Sequence, residues 1–399
     1  MRPCVDARVA TALFLVLTLG CGSGSSDHDP SPTPAPTTAP TPQPTEPAPT
    51  PTAAARPVLW VAGCGADVPG CGCTSFVGQY CERGVLARSD DLGETWVRTF
   101  FDSGLGSVAF TTPLDGWAVG PGGVVLRTTD GGATWTRKED GIELPAEATA
   151  RGVNAFESVR FFDADRGIIA GWGTTDEVTG HFGPIPFYRT QVFVLFTDDG
   201  GESWRPAPID GAPAIDGGRG SSACFTDAGI GVIARQTTTL LSRDAGRTWE
   251  SLSGGAYAVA CRGERTIWLS NSSSVTRSED GGMTWTTLGD VATIYCCYAP
   301  IDFPSELHGW RAGVDVLQRT DDGGATWTTV DAAIPPGLGG ASALRFATTD
   351  DGLWTGYGAG GVTHDGGASW EPVIVVPFRD GIFGLSDIAV IDVPAPASR

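Results

Sequence analysis

The sequence predicts an all-β fold, a seven-bladed β-propeller, on three observations. An eight-residue pattern, Ser/Thr-x-Asp-x-Gly-x-Thr/Ser-Trp, occurs seven times between Ser89 and Trp370. Short apolar runs of period two recur upstream of each copy, as strands with one face turned inward require. The chain of 399 residues also carries 56 Gly and 13 Trp with only 18% charged residues, a composition of many short strands and tight turns.

The seven copies place their aspartates at Asp91, Asp130, Asp199, Asp244, Asp280, Asp322 and Asp365. Their tryptophans are Trp96, Trp135, Trp204, Trp249, Trp285, Trp327 and Trp370, spaced 39, 69, 45, 36, 42 and 43 residues apart. A fixed recurrence of this length marks one supersecondary unit repeated, and a four-stranded blade fits it. In each copy the Asp accepts backbone N–H groups across a hairpin and the fifth-position Gly supplies a left-handed backbone. The Trp buries a large ring against the next sheet, an apolar gain of about 4–6 kcal/mol. Copies this equivalent do not belong to one active site, so the motif is structural. A ring of Ca²⁺ sites is the alternative, and the turns lack the ligand density such sites need.

Blade 2 shows the whole unit: Ser107 to Phe110, Gly116 to Gly120, Val124 to Arg127, then the turn and a fourth strand after Trp135. Trp60, Trp117, Trp268, Trp310 and Trp354 fall in second-strand segments, which leaves Trp172 outside the repeat. Blade 1 starts directly at its second strand, near Val58. At the other end Gly384-Leu385-Ser386-Asp387-Ile388-Ala389-Val390 mimics the first strand of blade 2. Residues 384–392 are therefore expected to complete blade 1 and close the ring, removing its open edges.

The N-terminus supplies an address. Arg2 and Arg8 precede the apolar run Val9 to Leu19, too short to span a bilayer and suited to a signal peptide. The run ends in Leu17-Thr18-Leu19-Gly20-Cys21, which resembles a bacterial lipoprotein signal and implies lipid on Cys21. The expected organisation is a signal peptide at 1–20, a Pro/Thr/Ala-rich lipid-anchored tether at 21–57 and the propeller at 58–399. The protein is then exported and held at the bacterial cell envelope by the lipid alone. A net charge of -20 excludes nucleic acid and adsorption to anionic lipid.

The repeated turns, with Gly-Trp-x-x-Gly upstream, resemble the BNR/Asp-box propellers, and among them the photosystem II assembly and stability factor-like family. That resemblance implies a binding or assembly scaffold. The family's photosystem factor works through a basic, Arg-rich surface, and this chain is acidic, so the same partner is not implied. Sialidases and xyloglucanases carry the motif too, making a glycoside hydrolase the enzymatic alternative and an anchored structural or adhesive protein the third. A sialidase needs an arginine cluster, a Tyr with a Glu partner and an acid. The early Arg-Ile-Pro signature is absent, and no catalytic pair stands out. Arg160 and Arg345 occupy equivalent first-strand positions near the channel, as ligand groups or as solvated, turn-paired arginines. The histidines, His28, His181, His308 and His364, are scattered. No catalytic residues, metal site or cofactor are expected.

Departures from the repeat locate the candidate binding surface. Blade 1 inserts Cys64 to Arg83 and blade 3 inserts Trp172 to Arg189 between second and third strands, on the face opposite the repeated turns. The blade 3 insertion offers Trp172, His181, Phe182, Phe187 and Tyr188 to a protein or glycan partner, or packs them on itself. Cys64, Cys71, Cys73 and Cys81 suit two disulfides in blade 1. Cys224, Cys261, Cys296 and Cys297 lie on or near first strands, where cross-blade bridges are open to them. The domain is expected to be a monomer.

Overall fold

The computed structural model describes residues 56–66, 83–145, 153–182, 185–211, 221–252, 254–289, 291, 299–313, 316–330, 341–356, 358–377 and 382–393. Residues 1–55, which hold the expected signal peptide, Cys21 and most of the expected tether, lie outside them, whereas Arg56 and Pro57, expected at the end of the tether, already pair with Val393 and Asp392 in the first strand. Strands form seven sheets, each antiparallel through its main four strands, and no helix occurs among the described residues. The innermost strands touch in one closed cycle: Ile382–Val393, Ser107–Phe110, Val153–Phe161, Ser221–Phe225, Ala258–Arg262, Ile301–Asp302 and Ala343–Phe346. The chain is a seven-bladed β-propeller.

Closure follows the sequence expectation. The C-terminal strand Ile382–Val393 pairs antiparallel with Arg56–Ala66, setting Ala389 opposite Trp60, with a register shift between Ala62 and Gly63. The first and last segments of the propeller thus share blade 1, and their pairing removes two open edges at once.

The core is divided among the seams between blades, with a separate cluster of buried apolar residues at each of the seven. Four seams are built alike. A second-strand Trp meets a Phe at the end of, or just after, the first strand and the turn Trp of the next blade, as in Trp60–Phe110–Trp135 and Trp117–Phe161–Trp204. Trp268–Phe303–Trp327 and Trp310–Phe346–Trp370 repeat the arrangement. In all four an arginine opposite the Trp on the third strand lies over its ring: Arg88, Arg127, Arg277 and Arg319.

The other three seams replace both members of that pair. Ile168 stands opposite Phe196, Val232 opposite Leu241 and Leu353 opposite Val362. Trp354 is thus one residue past the equivalent Trp position. Its ring is buried with Trp310 and Trp370 at the seam behind it, while Leu353 faces blade 1. Trp354 falls in a second strand, as the sequence indicates, but its one-residue offset from the position of Trp117 turns it to the opposite face.

Where the aromatic wedge is missing between blades 4 and 5, Cys224 and Cys261 form a disulfide between the two innermost strands. Cys64 is also disulfide-bonded. Cys71, Cys73, Cys81, Cys296 and Cys297 lie outside the described residues. The blade 3 insertion, expected as a loop, is mostly a continuation of the sheet. Gly167–Phe182 and Ile185–Thr197 pair far beyond the blade, with irregularities on either side of Tyr188. Its run of Val, Thr, Phe and Tyr favours an extended hairpin.

Candidate binding site

Each repeated turn is held by its own side chains. In blade 2, Asp130 Oδ1 accepts from the Thr134 N–H at 2.9 Å and from Thr128 Oγ1 at 2.8 Å, while Thr134 Oγ1 donates to Oδ2 at 2.6 Å. Thr128 Oγ1 in turn accepts the Gly132 N–H at 2.9 Å. The same set recurs at Asp91, Asp199, Asp244, Asp280, Asp322 and Asp365. Gly132 has φ of 82°, and a Cβ there would lie 2.2 Å from the Trp60 ring, so the turn packs its bare α-carbon on the preceding blade. Hydrogen bonds from Thr134 and Thr128 hold Asp130 down to about 2. Burial pushes Asp199 upward, but the Ser203 and Thr197 bonds outweigh it and bring this carboxyl also to about 2.

The turn between first and second strands lies beside this one. The Gly131 N–H donates to Leu114 O at 2.9 Å, and Gly200, Ala245, Gly281, Gly323 and Gly366 make the matching bond in blades 3 to 7. One face of the ring is therefore a layer of interlocked turns. The blade 3 hairpin leaves from the other face, because strand direction alternates within an antiparallel blade. Along that hairpin Trp172 sits at the foot, half-buried and opposite Val192, His181 and Phe182 sit at the far end, and Tyr188 pairs with Val178.

Arg160 and Arg345 stand apart from the hairpin, on the channel, and each holds a carboxylate of another blade. Arg160 Nη2 lies 2.8 Å from Asp387 Oδ1, its Nη1 donates to Asp387 Oδ2 at 2.9 Å, and its Nε donates to Ala223 O. Asp387 also accepts from Ser107 Oγ at 2.6 Å and the Val108 N–H at 3.1 Å. Arg345 Nη1 donates to Asp302 Oδ1 at 2.9 Å, and the Phe346 N–H donates to Oδ2 at 2.7 Å. Burial would raise the Asp387 carboxyl, yet the Arg160 guanidinium outweighs it and lowers it. For Arg345, burial would lower the guanidinium, and the fields of Asp302 and Asp387 outweigh that and raise it. Both arginines brace one blade to another, a pairing that was not among the two roles the sequence offered them, ligand group or solvated, turn-paired arginine.

Sequence reasoning missed the aspartate partners because Asp387 and Arg160 are 227 residues apart and meet only once the ring closes. Beside Arg160 a cavity of about 340 Å³ is lined by Phe161, Phe162, Phe225, Thr226 and Asp227, on the interlocked-turn side. His308 bonds Ser305, and His364 bonds Asp351 at 2.9 Å. Among the described residues no group of three or more His, Cys, Asp or Glu is placed to hold a metal ion.

Against known proteins, the chain is 26% identical over 280 residues to the photosystem II assembly lipoprotein Ycf48 of Synechococcus sp. (strain CC9902), covering 66% of this chain and 73% of that one. The chain is homologous to Ycf48. No family model matches it. Similar solved structures include Ycf48 bound to a D1 peptide, at 19% identity and TM-score 0.49 over 72% of this chain and 93% of that one. Ycf48 from Cyanidioschyzon merolae aligns at 17% identity and TM-score 0.48, over 85% of this chain and 97% of that one. An ancestral GH74 enzyme aligns at 14% identity and TM-score 0.51, over 78% of this chain and 48% of its own length, a likeness of fold.

Proposed function

We propose that this chain is a non-enzymatic binding and assembly scaffold for a protein partner, held at the cell envelope by lipid on Cys21 and the tether at 21–57. Homology to an assembly lipoprotein carries the reading. The pairing of Arg160 with Asp387 and of Arg345 with Asp302 supports it, because these two candidate ligand groups serve the ring. Partner contact is assigned to the face of the blade 1 and blade 3 insertions, with Trp172, His181, Phe182 and Tyr188 on the hairpin. Aromatic residues on a projecting, strand-built hairpin give contact area at low entropic cost.

A glycosidase substrate panel with the full chain is expected to show no turnover. Turnover lost on replacing an acid of the insertion face would overturn the reading in favour of a hydrolase. Crosslinking to the partner in cells is expected to fall in Trp172→Ala and Tyr188→Ala, and undiminished recovery in both would remove the hairpin from the contact. Cys21→Ser is expected to move the protein from the membrane to the soluble fraction.

A further inference from the structure

Among the described residues the outer rim distinguishes one blade from the other six. An outermost strand leaves every second N–H and C=O unpaired, which is a template for strand addition unless it is shortened, interrupted or covered. Blades 2, 5 and 6 end in strands of two residues, Thr136–Arg137, Thr286–Thr287 and Thr328–Thr329. In blade 3 the edge Arg205–Ala207 contains Pro206, and in blade 7 the edge Glu371–Ile374 contains Pro372. The blade 4 edge, Trp249–Leu252, is covered by the parallel strand Ile209–Asp210.

Blade 1 has none of these devices among the described residues. Its outer strand, Val97–Phe101, is five residues of high strand propensity without proline, paired along its whole length on the inner side. Val97 is 70% exposed and Thr99 is exposed. The strand's one charge is turned aside, since Arg98 donates to the carbonyls of Trp96, Ile374 and Val375 and so ties blade 1 to blade 7. Exposed Glu94 and Asp102 flank the strand's two ends.

We infer that the outer strand of blade 1 is a strand-addition site for an extended segment of a partner protein, apolar and β-branched at alternate positions and flanked by basic residues. Backbone pairing along Val97–Phe101 supplies binding, and Glu94 and Asp102 select the basic flanks. The charges disfavour a second copy: antiparallel pairing of two identical edges brings Asp102 of each to the end of the other strand that Glu94 flanks, between chains of net charge -20. The inference rests on the scaffold reading and names a contact surface for it.

The test uses the full chain and a fluorescein-labelled probe peptide, Lys-Lys-Val-Thr-Val-Tyr-Val-Lys-Lys, followed by fluorescence anisotropy. Saturable binding is expected, weakened at least tenfold in Val97→Lys and Thr99→Lys, with the near-ultraviolet tryptophan spectrum of both variants unchanged. A version of the peptide with Pro at its centre is expected not to bind. No binding to the wild-type chain, or equal binding to both lysine variants, would overturn the inference. So would a sedimentation-detected dimer that Val97→Lys dissociates, which assigns the edge to a second copy. None of these results bears on turnover, so the glycosidase panel still judges the scaffold reading separately.

Discussion

Every blade of a propeller has an inner and an outer edge, and this protein treats the two differently. At the channel, side chains of one blade serve the backbone of the next. Asp387 accepts the Val108 N–H, Ser107 accepts the Val159 N–H, Ser222 accepts the Val259 N–H and Asp302 accepts the Phe346 N–H. At the rim the usual device is removal, by shortening, proline or cover, and blade 1 alone keeps a long open strand among the described residues. At the centre Arg160, Ser107, Asp302 and Asp387 are occupied with holding the ring, whereas the rim of blade 1 keeps an open strand among the described residues. A charged group near a propeller axis is thus weak support for an active site until its partners are known.

The contrast is broken most severely by deleting residues 384–392, which removes the inner strand of blade 1 together with Asp387. Cooperative thermal unfolding is expected to disappear, and an unchanged transition would contradict the closure. Asp387→Ala leaves half-buried Arg160 without its carboxylate, with Ala223 O, Val159 O and Ser107 Oγ still accepting from it, and is expected to destabilise by about 2–3 kcal/mol in urea unfolding. Reducing the Cys224–Cys261 bridge, with its sequence separation of 37, is expected to cost about 3–4 kcal/mol by loop entropy. That loss should appear as faster hydrogen exchange at the seam of blades 4 and 5.

Acid acts on the repeated turns. The Asp199 and Asp365 carboxyls sit at about 2 in the folded protein, below the unfolded value near 3.8. Their contribution is fully present above about pH 4 and is lost as pH falls through about 2. The melting temperature is accordingly expected to be flat from pH 7 to 5 and to drop only below about 4. The smallest effect belongs to the rim: Val97→Lys is expected to change stability by no more than about 0.5 kcal/mol while weakening probe binding.

The ring was legible in the sequence because its signals are local. The eight-residue turn, the period-two runs and the mimicry of residues 104–110 by 384–390 each lie within a short window. What escaped was register and long-range pairing. Trp354 looked equivalent to Trp117 until the pairing of Leu353 with Val362 showed the one-residue offset. The blade 3 insertion was readable in length but not in form, since its partners are two halves of the same hairpin. Arg160 was legible as a channel position, but its acid came from the far end of the chain and could not be chosen among 46 acidic residues.

A double-mutant cycle on Arg160 and Asp387, followed by urea unfolding of the full chain, tests the division between an occupied centre and an available rim most directly. The braced ring predicts that Arg160→Met and Asp387→Leu are each strongly destabilising, and that the pair together costs less than the sum of the two. Additive costs, with Arg160→Met near wild-type stability, would return Arg160 to the pool of free ligand groups and contradict the account.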